Sequence, residues 1–481
     1  MPLVTPVEVV PVDQLGRVHF IGIGGAGMSG IARVMLARGV AVSGSDSGSP
    51  GVLSGLAALG ADVHAGHSAS HLGDADTVVV SSAIREANPE LAEARRRGLR
   101  VLPRAAALAS IMSGRRATAV AGTHGKTTTT SMLTTILRQC GAGPGYVIGG
   151  ILAETGLGAD DGTGPDLVVE ADESDGSFLM LTPYAAIITN VEADHLDNYA
   201  GLAEIRSAFE AFAHRVSPGG VLVTCADDPG ARAVAGAARD LPVRLRSYGE
   251  SASAGYRVSG IVPHGMGSTF RITGTTASFG KIDEPVTIAV PGRHNALNAA
   301  AAFAVAAELG VPAPEAAAAL SAYRGAQRRM EPKGDGDGVR VLDSYAHHPT
   351  EVAADLAAAR DLAEGGRVIA IFQPHLFSRT RIFGAEIGAA LGRADEAVVL
   401  DIYAAREDPE PGITGRLVAD AVPGGRAHYV PEAAQVPAVI ADIAKPGDIV
   451  LTMGAGDVTH LGPEVVAMLR ARGRTPATPE G

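Results

Sequence analysis

Residues 118–130 read Thr-Ala-Val-Ala-Gly-Thr-His-Gly-Lys-Thr-Thr-Thr-Thr, a stretch that predicts a strand, then a glycine turn, then a helix. Gly122 and Gly125 allow backbone N–H groups to point into the turn, and the helix that follows offers the positive end of its dipole. Lys126 can reach the terminal phosphates of a nucleotide, and the Thr127 hydroxyl can bind Mg²⁺. The stretch therefore predicts a phosphate-binding loop at the end of a strand.

This loop departs from the eight-residue pattern G-x-x-x-x-G-K-[ST], whose first glycine would fall on Val120. A helix start with incidental glycines is the alternative, but a strand precedes the turn and a helix follows it, as phosphate binding requires. The chain has four lysines against 36 arginines. The lysine inside this loop therefore indicates that a compact ammonium group matters there.

The composition is that of a globular chain of several domains. Its 481 residues are 46% hydrophobic and fit three domains of about 150 residues each. No apolar run approaches the roughly 18 residues of a membrane span, and the first residues lack the basic start of a signal peptide. Two cysteines without a metal or disulfide spacing are expected in the reducing cytoplasm. The net charge of −12, without a basic cluster, argues against nucleic acid as a partner.

A second glycine loop, Gly22-Ile-Gly-Gly-Ala-Gly27, follows a predicted strand at residues 18–21 and matches G-x-G-x-x-G. Asp46 ends the next predicted strand, about 20 residues on, where a dinucleotide-binding unit places a carboxylate on a ribose hydroxyl. NAD is therefore one interpretation. Any other diphosphate ligand is a second, because the same helix end can bind it.

Four carboxylates fall within residues 170–175, directly after a predicted buried strand at 166–170. Such runs are usually solvated loops. Here the strand places Glu170 at the carboxyl edge of the sheet beside the phosphate loop, where Mg²⁺ would need a second anchor. His195 follows the next predicted strand, and its position is equally consistent with a metal ligand, a base or a turn residue.

Asn295 and Asn298 open an alanine-rich predicted helix and share one face of it. They could bind an adenine edge, or Asn295 could simply cap the helix. Residues 325–338, which include Arg328 and Arg329, predict a turn-rich boundary. Beyond it, polar residues follow the predicted strands at 339–342, 367–372 and 449–452, and open α/β sheets bind ligands in such a crevice.

We therefore predict an α/β fold of three domains. A Rossmann-like domain would span residues 1–113, and a central P-loop ATPase-like domain with a mostly parallel sheet would span 114–326. A second Rossmann-like domain would span 327–481.

Motifs along nearly the whole chain resemble, in order, those of the Mur ligases. They are Gly22-Ile-Gly-Gly-Ala-Gly-Met-Ser, Ser81-Ser-Ala-Ile, Asn88-Pro-Glu, Gly122-Thr-His-Gly-Lys-Thr-Thr-Thr, Glu170-Ala-Asp-Glu-Ser-Asp, Glu192-Ala-Asp-His, His294-Asn, Arg328-Arg, Tyr345-Ala-His-His-Pro-Thr-Glu and Phe372-Gln-Pro-His. In that family the first domain holds the UDP of a sugar nucleotide, the central domain holds ATP and Mg²⁺, and the third closes over both. The resemblance thus implies a UDP diphosphate, rather than NAD, on the first glycine loop.

The resemblance implies roles for individual residues toward ATP and the metal. The ATP phosphates would lie on Gly122, Thr123, His124, Gly125, Lys126, Thr127 and Thr128. One Mg²⁺ would be bound by Thr127 and Glu170, and a second by Glu170 and His195. The remaining ATP contacts would be Asn295 and Asn298 on adenine, Asp343 on the ribose and Arg329 on the transferring phosphoryl group.

It also implies a substrate side. The sugar nucleotide would lie on Gly22, Gly24, Gly25, Gly27, Asp46, Ser82 and His195. The residues near the substrate carboxylates and the amino acid would be Tyr345, His347, Arg379 and Arg381. His347 is the candidate base for the amino group.

The match is closest to the alanine-adding branch, so it implies joining of L-alanine to the lactyl carboxylate of UDP-N-acetylmuramate, through an acyl phosphate, in peptidoglycan precursor synthesis. Several siblings use a carbamylated lysine near the second metal, and no lysine lies within residues 200–220. Ser344 stands where this branch usually has an aspartate. The alternatives are a sibling that adds a peptide, a nicotinamide dehydrogenase and a non-catalytic nucleotide sensor. The sequence gives no indication of oligomeric state.

Overall fold

The structure, a computed structural model, describes residues 7–81, 83–196, 198–276, 280–405 and 407–473. The chain divides into two compact units, the first made of residues 1–259, 271–286 and 297–324, and the second of residues 260–270, 287–296 and 325–481. None of the helices in the described ranges is both long and apolar enough to cross a bilayer.

The first sheet confirms the predicted Rossmann-like domain. Its strands are β1 (Val18–Ile21), β2 (Val42–Asp46), β3 (Asp62–Ala65), β4 (Thr77–Val80) and β5 (Arg100–Pro103). They lie in the order β3-β2-β1-β4-β5, and every neighbouring pair is parallel. The strand order reverses between β1 and β4, which places the first glycine loop at the topological switch point.

The helices of this domain begin where local chemistry predicts. They are α1 (Ala26–Ala37), α2 (Pro50–Ala58), α3 (Pro89–Arg96) and α4 (Arg104–Met112). Asn88 caps α3, since its Oδ1 accepts hydrogen bonds from the backbone N–H groups of Glu90 (2.9 Å) and Leu91 (3.2 Å). Pro89 then occupies the first helical position, where its missing N–H group is not needed.

The second sheet carries the phosphate loop. Its strands are β6 (Arg116–Ala121), β7 (Gly145–Leu152), β8 (Leu157–Asp160), β9 (Asp166–Glu170), β10 (Ala185–Ile188), β11 (Val221–Cys225), β12 (Arg244–Gly249), β13 (Tyr256–His264), β14 (Gly267–Thr276) and β15 (Gly280–Ile288). The helices are α5 (Lys126–Gln139), α6 (Leu202–Ala213), α7 (Pro229–Ala237), α8 (Arg293–Glu308) and α9 (Ala313–Leu320). The strand order is β15-β14-β13-β12-β11-β10-β6-β9-β7-β8. Strand β6 lies between β10 and β9 and is parallel to both, so the carboxyl ends of all three strands meet at one edge.

Helix α1 packs against the second sheet as well as the first. A β-carbon on Gly30 would lie 3.1 Å from the Ala159 β-carbon and 3.2 Å from Val147 Cγ1. At the end of α1, Arg38 Nη2 lies 2.7 Å from Asp161 Oδ1. These contacts join the first two predicted domains within the first compact unit, and the predicted boundary at residue 113 stays a prediction.

The third sheet lies within the second unit. Its strands are β16 (Glu331–Gly336), β17 (Val339–Ser344), β18 (Val368–Phe372), β19 (Glu396–Val399), β20 (Ala427–Tyr429) and β21 (Ile449–Met453). The helices are α10 (Pro349–Leu362), α11 (Phe377–Leu391), α12 (Arg416–Ala419), α13 (Val436–Ile443) and α14 (Leu461–Arg472). The strand order is β16-β17-β21-β18-β19-β20, with only the β16–β17 pair antiparallel among these pairs of described strands.

Both faces of this sheet are buried. Val368, Ala370 and Phe372 of β18 belong to one apolar cluster, and the intervening Ile369 and Ile371 belong to another. A parallel strand covered on both faces is expected to be apolar at every position, as β18 is. The third α/β domain is therefore confirmed as a sheet with a core on each side.

The predicted turn-rich boundary at residues 325–338 is partly wrong. Residues 331–336 form the edge strand β16, which pairs antiparallel with β17 and has an irregularity between Pro332 and Gly334. The run is poor in apolar residues and contains a proline, which an edge strand tolerates at a bulge. Its pairing with β17, rather than its own sequence, makes it a strand.

Candidate active site

The turn at residues 122–125 has space only for glycine at two positions. Gly122 has a φ of +137°, and a β-carbon there would lie 1.9 Å from Thr189 Oγ1. Gly125 has a φ of +80°, and a β-carbon there would lie 2.6 Å from Asn298 Oδ1. Both positions lie in the left-handed region that side chains rarely adopt. The neighbours thus fix the path of the loop from strand β6 into helix α5.

Residues that follow β10 hold the loop through hydrogen bonds. The His124 carbonyl accepts bonds from Thr189 Oγ1 (2.6 Å) and Asn190 Nδ2 (3.1 Å), and the His124 N–H donates to Asn190 Oδ1 (2.8 Å). The Glu192 N–H donates to Thr123 Oγ1 at 2.9 Å. The loop is therefore held in shape by side chains before any ligand binds.

Lys126 lies at the first position of α5 with its ammonium group turned back over the loop. Its Nζ donates to the carbonyls of Gly122 (2.7 Å) and Thr123 (3.2 Å) and to Glu173 Oε1 (2.9 Å). Burial lowers the pKa of Lys126, but the charges of Glu173 and Asp172 outweigh it and raise that pKa. Lys126 therefore carries a full positive charge at the phosphate loop.

Glu173 is a site residue that the sequence analysis did not assign. It is 2% exposed, and its Oε2 is buried and accepts no hydrogen bond within the described part of the chain. Burial raises its pKa to about 7, although Lys126 acts in the opposite direction. The acidic run at residues 170–175 was the only signal for it, and that run did not indicate which carboxylate would be buried against the lysine.

Thr127 and Glu170 lie together, as predicted. Thr127 Oγ1 donates to Glu170 Oε1 at 3.1 Å, and the Gly149 N–H donates to Glu170 Oε2 at 2.8 Å. Thr128 is buried in the first turn of α5. A hydroxyl and a carboxylate side by side are the hard oxygen donors that Mg²⁺ prefers.

His195 lies in a turn with a φ of +50°. Its N–H donates to Asp194 Oδ1 at 2.7 Å, and its Nε2 lies 3.6 Å from Asp194 Oδ2 and 3.7 Å from Glu173 Oε1. The structure thus places His195 beside the carboxylate that also binds Lys126. Its sharing of a metal with Glu170 stays a prediction.

The side chain of Asp46 holds the first glycine loop through hydrogen bonds to backbone N–H groups. Asp46 Oδ2 accepts a hydrogen bond from the Gly24 N–H and Oδ1 accepts one from the Gly48 N–H, at 2.8 and 2.9 Å. Gly22 has a φ of +83°, and Gly25 precedes α1 as its N-cap. Because the N-cap residue is a glycine, it has no side chain to cap α1. The N–H groups in the first turn of α1 therefore lie at the topological switch point without a bond from an N-cap side chain. Ser82, predicted for the same site, lies outside the described residues.

In the second unit, Asp343 at the end of β17 is completely buried. Thr452 Oγ1 and Thr459 Oγ1 donate to its two oxygens at 2.6 and 2.7 Å, and Arg328 Nε lies 3.5 Å from Oδ2. Its predicted contact with the ATP ribose stays a prediction.

Tyr345 lies between two cations and a histidine. The guanidinium carbons of Arg328 and Arg329 lie 4.8 and 5.2 Å from the centre of its ring. The His347 ring meets the Tyr345 ring edge-on at 5.4 Å, and His347 Nδ1 lies 2.9 Å from the Tyr345 carbonyl oxygen. Three predicted site residues are therefore together at one strand end: Arg329, Tyr345 and His347.

The two predicted arginines of α11 differ in environment. Arg379 is 9% exposed in the first turn of the helix, whereas the side chain of Arg381 is 53% exposed and pairs with Glu410 at 3.2 Å. Arg379 thus lies inside the protein, and Arg381 lies at its surface.

The predicted adenine residues are both buried, Asn295 at 5% and Asn298 at 7% exposure. The alternative that Asn295 caps its helix is wrong, because α8 begins two residues earlier at Arg293. Asn295 Nδ2 instead donates to the Pro291 carbonyl at 2.6 Å.

Ser344, which departs from the usual family pattern, lies next to an acid from a neighbouring helix. Its hydroxyl donates to Asp355 Oδ2 and accepts a bond from the Ala346 N–H at 3.0 Å. Burial raises the pKa of Asp355, and His294 Nε2 lies 3.6 Å from its other oxygen. Position 344 is therefore a hydrogen-bond donor to a buried carboxyl group.

Three family models match successive parts of the chain. The model of the Mur ligase family, catalytic domain, matches residues 17–116, and that of the Mur ligase middle domain matches residues 120–306. The model of the Mur ligase, glutamate ligase domain, matches residues 328–456.

Curated relatives match over nearly the whole chain. A UDP-N-acetylmuramate–L-alanine ligase of Thermobifida fusca (strain YX) is 58% identical over 98% of this chain and 100% of its own length. A protein of the same name from Nocardioides sp. (strain ATCC BAA-499 / JS614) is 54% identical over 98% of this chain and 100% of its own.

Solved structures give the same picture. A UDP-N-acetylmuramate-alanine ligase from Thermotoga maritima matches with a TM-score of 0.79 at 29% identity, covering 95% of this chain and 99% of that one. A murein peptide ligase from Psychrobacter arcticus 273-4 matches with a TM-score of 0.70 at 26% identity, with the same coverage of both chains.

Proposed function

This chain belongs to the Mur ligase family, and from this premise we infer that it joins L-alanine to the lactyl carboxylate of UDP-N-acetylmuramate with ATP as the energy source. The observation that carries the inference is the phosphate loop with Lys126 already held over it, in a chain 58% identical along its length to an alanine ligase. A carboxylate does not form an amide in water without activation. ATP supplies that activation as an acyl phosphate, with ADP as the leaving group.

Mg²⁺ is the metal that the donors favour. Thr127 and Glu170 offer neighbouring oxygens beside the start of α5, and we propose that they bind one Mg²⁺ and that Glu170 and His195 bind a second. Mg²⁺ bound there would neutralise phosphate charge during transfer of the phosphoryl group.

Lys126 stabilises the charge that spreads over the transferring phosphoryl group. Its ammonium group is placed beside the loop by two backbone carbonyls, so little reorganisation is needed when the phosphates arrive. We propose that Arg329 binds the same group, since a planar guanidinium can bind two phosphate oxygens and that of Arg329 lies 5.2 Å from the centre of the Tyr345 ring.

The second step is attack of the alanine amine on the acyl carbon, with release of phosphate. The amine must first lose a proton, and we propose His347 as its acceptor. Because Nδ1 of His347 lies 2.9 Å from a carbonyl oxygen, that nitrogen carries the proton of the neutral ring. Nε2 then holds the lone pair and can accept the proton from the ammonium group.

Two alternatives are disfavoured. Against the peptide-adding sibling, the curated relatives at 58% and 54% identity are both named alanine ligases, and the solved alanine ligase matches with a TM-score of 0.79 against 0.70 for the murein peptide ligase. A nicotinamide dehydrogenase would use the first glycine loop, but its reaction would not require the phosphate loop with Lys126 and the buried Glu173. We propose the cytoplasm as the location, because ATP and a UDP-sugar are the substrates and both cysteines are free thiols.

The test is phosphate release by the purified chain with ATP, Mg²⁺ and UDP-N-acetylmuramate. L-alanine should give the highest kcat/KM among L-alanine, glycine, L-serine and a tripeptide. A preference for the tripeptide would identify the peptide-adding sibling. ATP binding without release for any acceptor would identify a sensor.

A further inference from the structure

Arg104, the first residue of α4, reaches from the first domain toward the acidic run of the second sheet. Its Nη2 donates to Asp172 Oδ2 at 2.9 Å. The same guanidinium lies against the start of α1, because a β-carbon on Gly27 would lie 3.1 Å from Arg104 Nη1 and 3.2 Å from Cδ. About a quarter of the arginine side chain, 24%, remains exposed.

This position is electrostatically unfavourable for a cation alone. Gly27 is the second residue of α1, and the first turn of a helix carries a partial positive charge. A nearby anion would offset the repulsion between the Arg104 guanidinium and the positive end of the α1 dipole. Asp172 supplies one, since its Oδ2 lies 2.9 Å from Arg104 Nη2.

We propose that Arg104 is a binding residue for the diphosphate of the sugar nucleotide, and that Asp172 is the anion with which its guanidinium pairs until the diphosphate replaces it. This inference rests on the proposed function, which places that diphosphate on the N–H groups at the start of α1. A guanidinium group binds two phosphate oxygens with parallel hydrogen bonds, which an ammonium group cannot do. The diphosphate is an anion that both the Arg104 guanidinium and the N-terminal end of α1 would attract.

The pair has a second consequence for the site. Asp172 is adjacent to Glu173, whose Oε1 accepts a hydrogen bond from Lys126 at 2.9 Å. Arg104, Asp172, Glu173 and Lys126 thus form a continuous series of charged groups from the first glycine loop to the ATP loop. All of them belong to the first compact unit.

The chain offers a matched control at the opposite end of α1. Arg38 pairs with Asp161 at 2.7 Å and is 15% exposed, and it also connects the first domain to the second sheet. It lies at the C-terminal end of the helix, where no diphosphate would bind. Removal of the Arg38 side chain therefore shows how much an ion pair between the first domain and the second sheet contributes to UDP binding when it lies away from the diphosphate.

The experiment measures binding of UDP by calorimetry without ATP, for the wild type, Arg104→Met, Asp172→Asn and Arg38→Met. Arg104→Met should weaken UDP binding by about 10- to 100-fold, the loss typical of a charge-assisted hydrogen bond. Asp172→Asn should bind UDP as well as the wild type or better, because the guanidinium is released from its competitor. Arg38→Met should bind UDP as the wild type does.

Two results of this UDP comparison would overturn the proposal. One is wild-type UDP affinity in Arg104→Met. The other is an equal loss in Asp172→Asn, which would make Arg104 only a connection between domains. If thermal unfolding shows that Arg104→Met is not folded, Arg104→Lys is measured instead. The lysine variant should lose part of the UDP affinity, because lysine keeps the charge but lacks the planar guanidinium.

Two further arms separate related outcomes. UDP-N-acetylmuramate is compared with UDP, and a loss confined to the former would assign Arg104 to the lactyl carboxylate and overturn the diphosphate assignment. Failure of the proposed function is recognised separately, since the wild type would then bind no UDP and release no alanine-dependent phosphate.

Discussion

Gly122→Ala is the substitution whose effect follows most directly from the geometry of the phosphate loop. The added β-carbon would lie 1.9 Å from Thr189 Oγ1, 3.0 Å from the Thr189 nitrogen and 3.1 Å from the Asn190 nitrogen. The nearer obstacle is a side chain, but the other two are backbone atoms, which move only with strand β10. Alanine must also adopt a φ of +137°, which costs about 1–3 kcal/mol.

The size of the effect follows from the distance that must be recovered. The added β-carbon would lie 1.9 Å from Thr189 Oγ1, whereas an ordinary contact between such atoms is about 3.5 Å. The loop or Thr189 must therefore move by about 1.5 Å to relieve the clash. Thr189 holds the His124 carbonyl at 2.6 Å, so its movement releases the loop. A misplacement of about 1 Å costs roughly 10²-fold in rate, and we therefore expect kcat/KM for ATP to fall by at least ~10².

The assay is phosphate release at varied ATP, together with calorimetric binding of UDP, which should be unchanged. Gly141→Ala is the matched control, because Gly141 follows the other end of α5 with a φ of +74°, and its added β-carbon would have no atom within 4 Å among the described residues other than its chain neighbours. It should reduce thermal stability without changing the kinetics of ATP. Adding Thr189→Ala to Gly122→Ala removes the closest clash and should restore part of the activity. Near-normal ATP kinetics in Gly122→Ala, or an equal loss in Gly141→Ala, would refute the reasoning.

Other predictions address the remaining groups of the site. Lys126→Arg and Lys126→Ala should bind UDP normally but lose at least ~10² in kcat, and normal turnover in the arginine variant would contradict a need for an ammonium group. His195→Ala should raise the Mg²⁺ concentration for half-maximal rate, and Glu170→Ala should raise it more; an unchanged requirement in His195→Ala would make it a turn residue. Gly27→Val should raise the KM for UDP-N-acetylmuramate but not that for ATP, and a loss confined to ATP would mean that the two loops are exchanged. The pKa of Glu173 is raised to about 7 in the folded state, so its contribution to stability is present at low pH and is lost as pH rises from about 4.5 to 7. Thermal unfolding of Glu173→Gln should lack that decline, and a parallel pH profile would contradict it.

The sequence predicted the strands and loops that carry phosphate chemistry because they combine two local signals. Each is a short apolar strand followed by glycines and a helix, as in residues 118–130, and the structure has the same elements at β6 and α5. Strand β9 was predicted at residues 166–170 and is found there, since a strand buried on both faces is apolar along its length.

What was missed depends on contacts between distant parts of the chain. Strand β16 has the sequence Glu-Pro-Lys-Gly-Asp-Gly and exists because β17 pairs with it. Glu173 resembles its acidic neighbours in the sequence, and only the folded chain buries it against Lys126. The start of α8 at Arg293 likewise could not be located from the asparagines that follow it.

The contacts of α1 have a consequence for exchanging modules between related ligases. This helix is encoded in the first domain, yet Gly30 packs against β7 and β8, and Arg38 pairs with Asp161 at the end of that hairpin. A chimaera that takes residues 17–116 from one relative and the remainder from another would place a foreign helix on this hairpin. We expect such chimaeras to fold well only when residues 145–161 are transplanted together with the first domain, so the unit of exchange is larger than the unit of sequence homology.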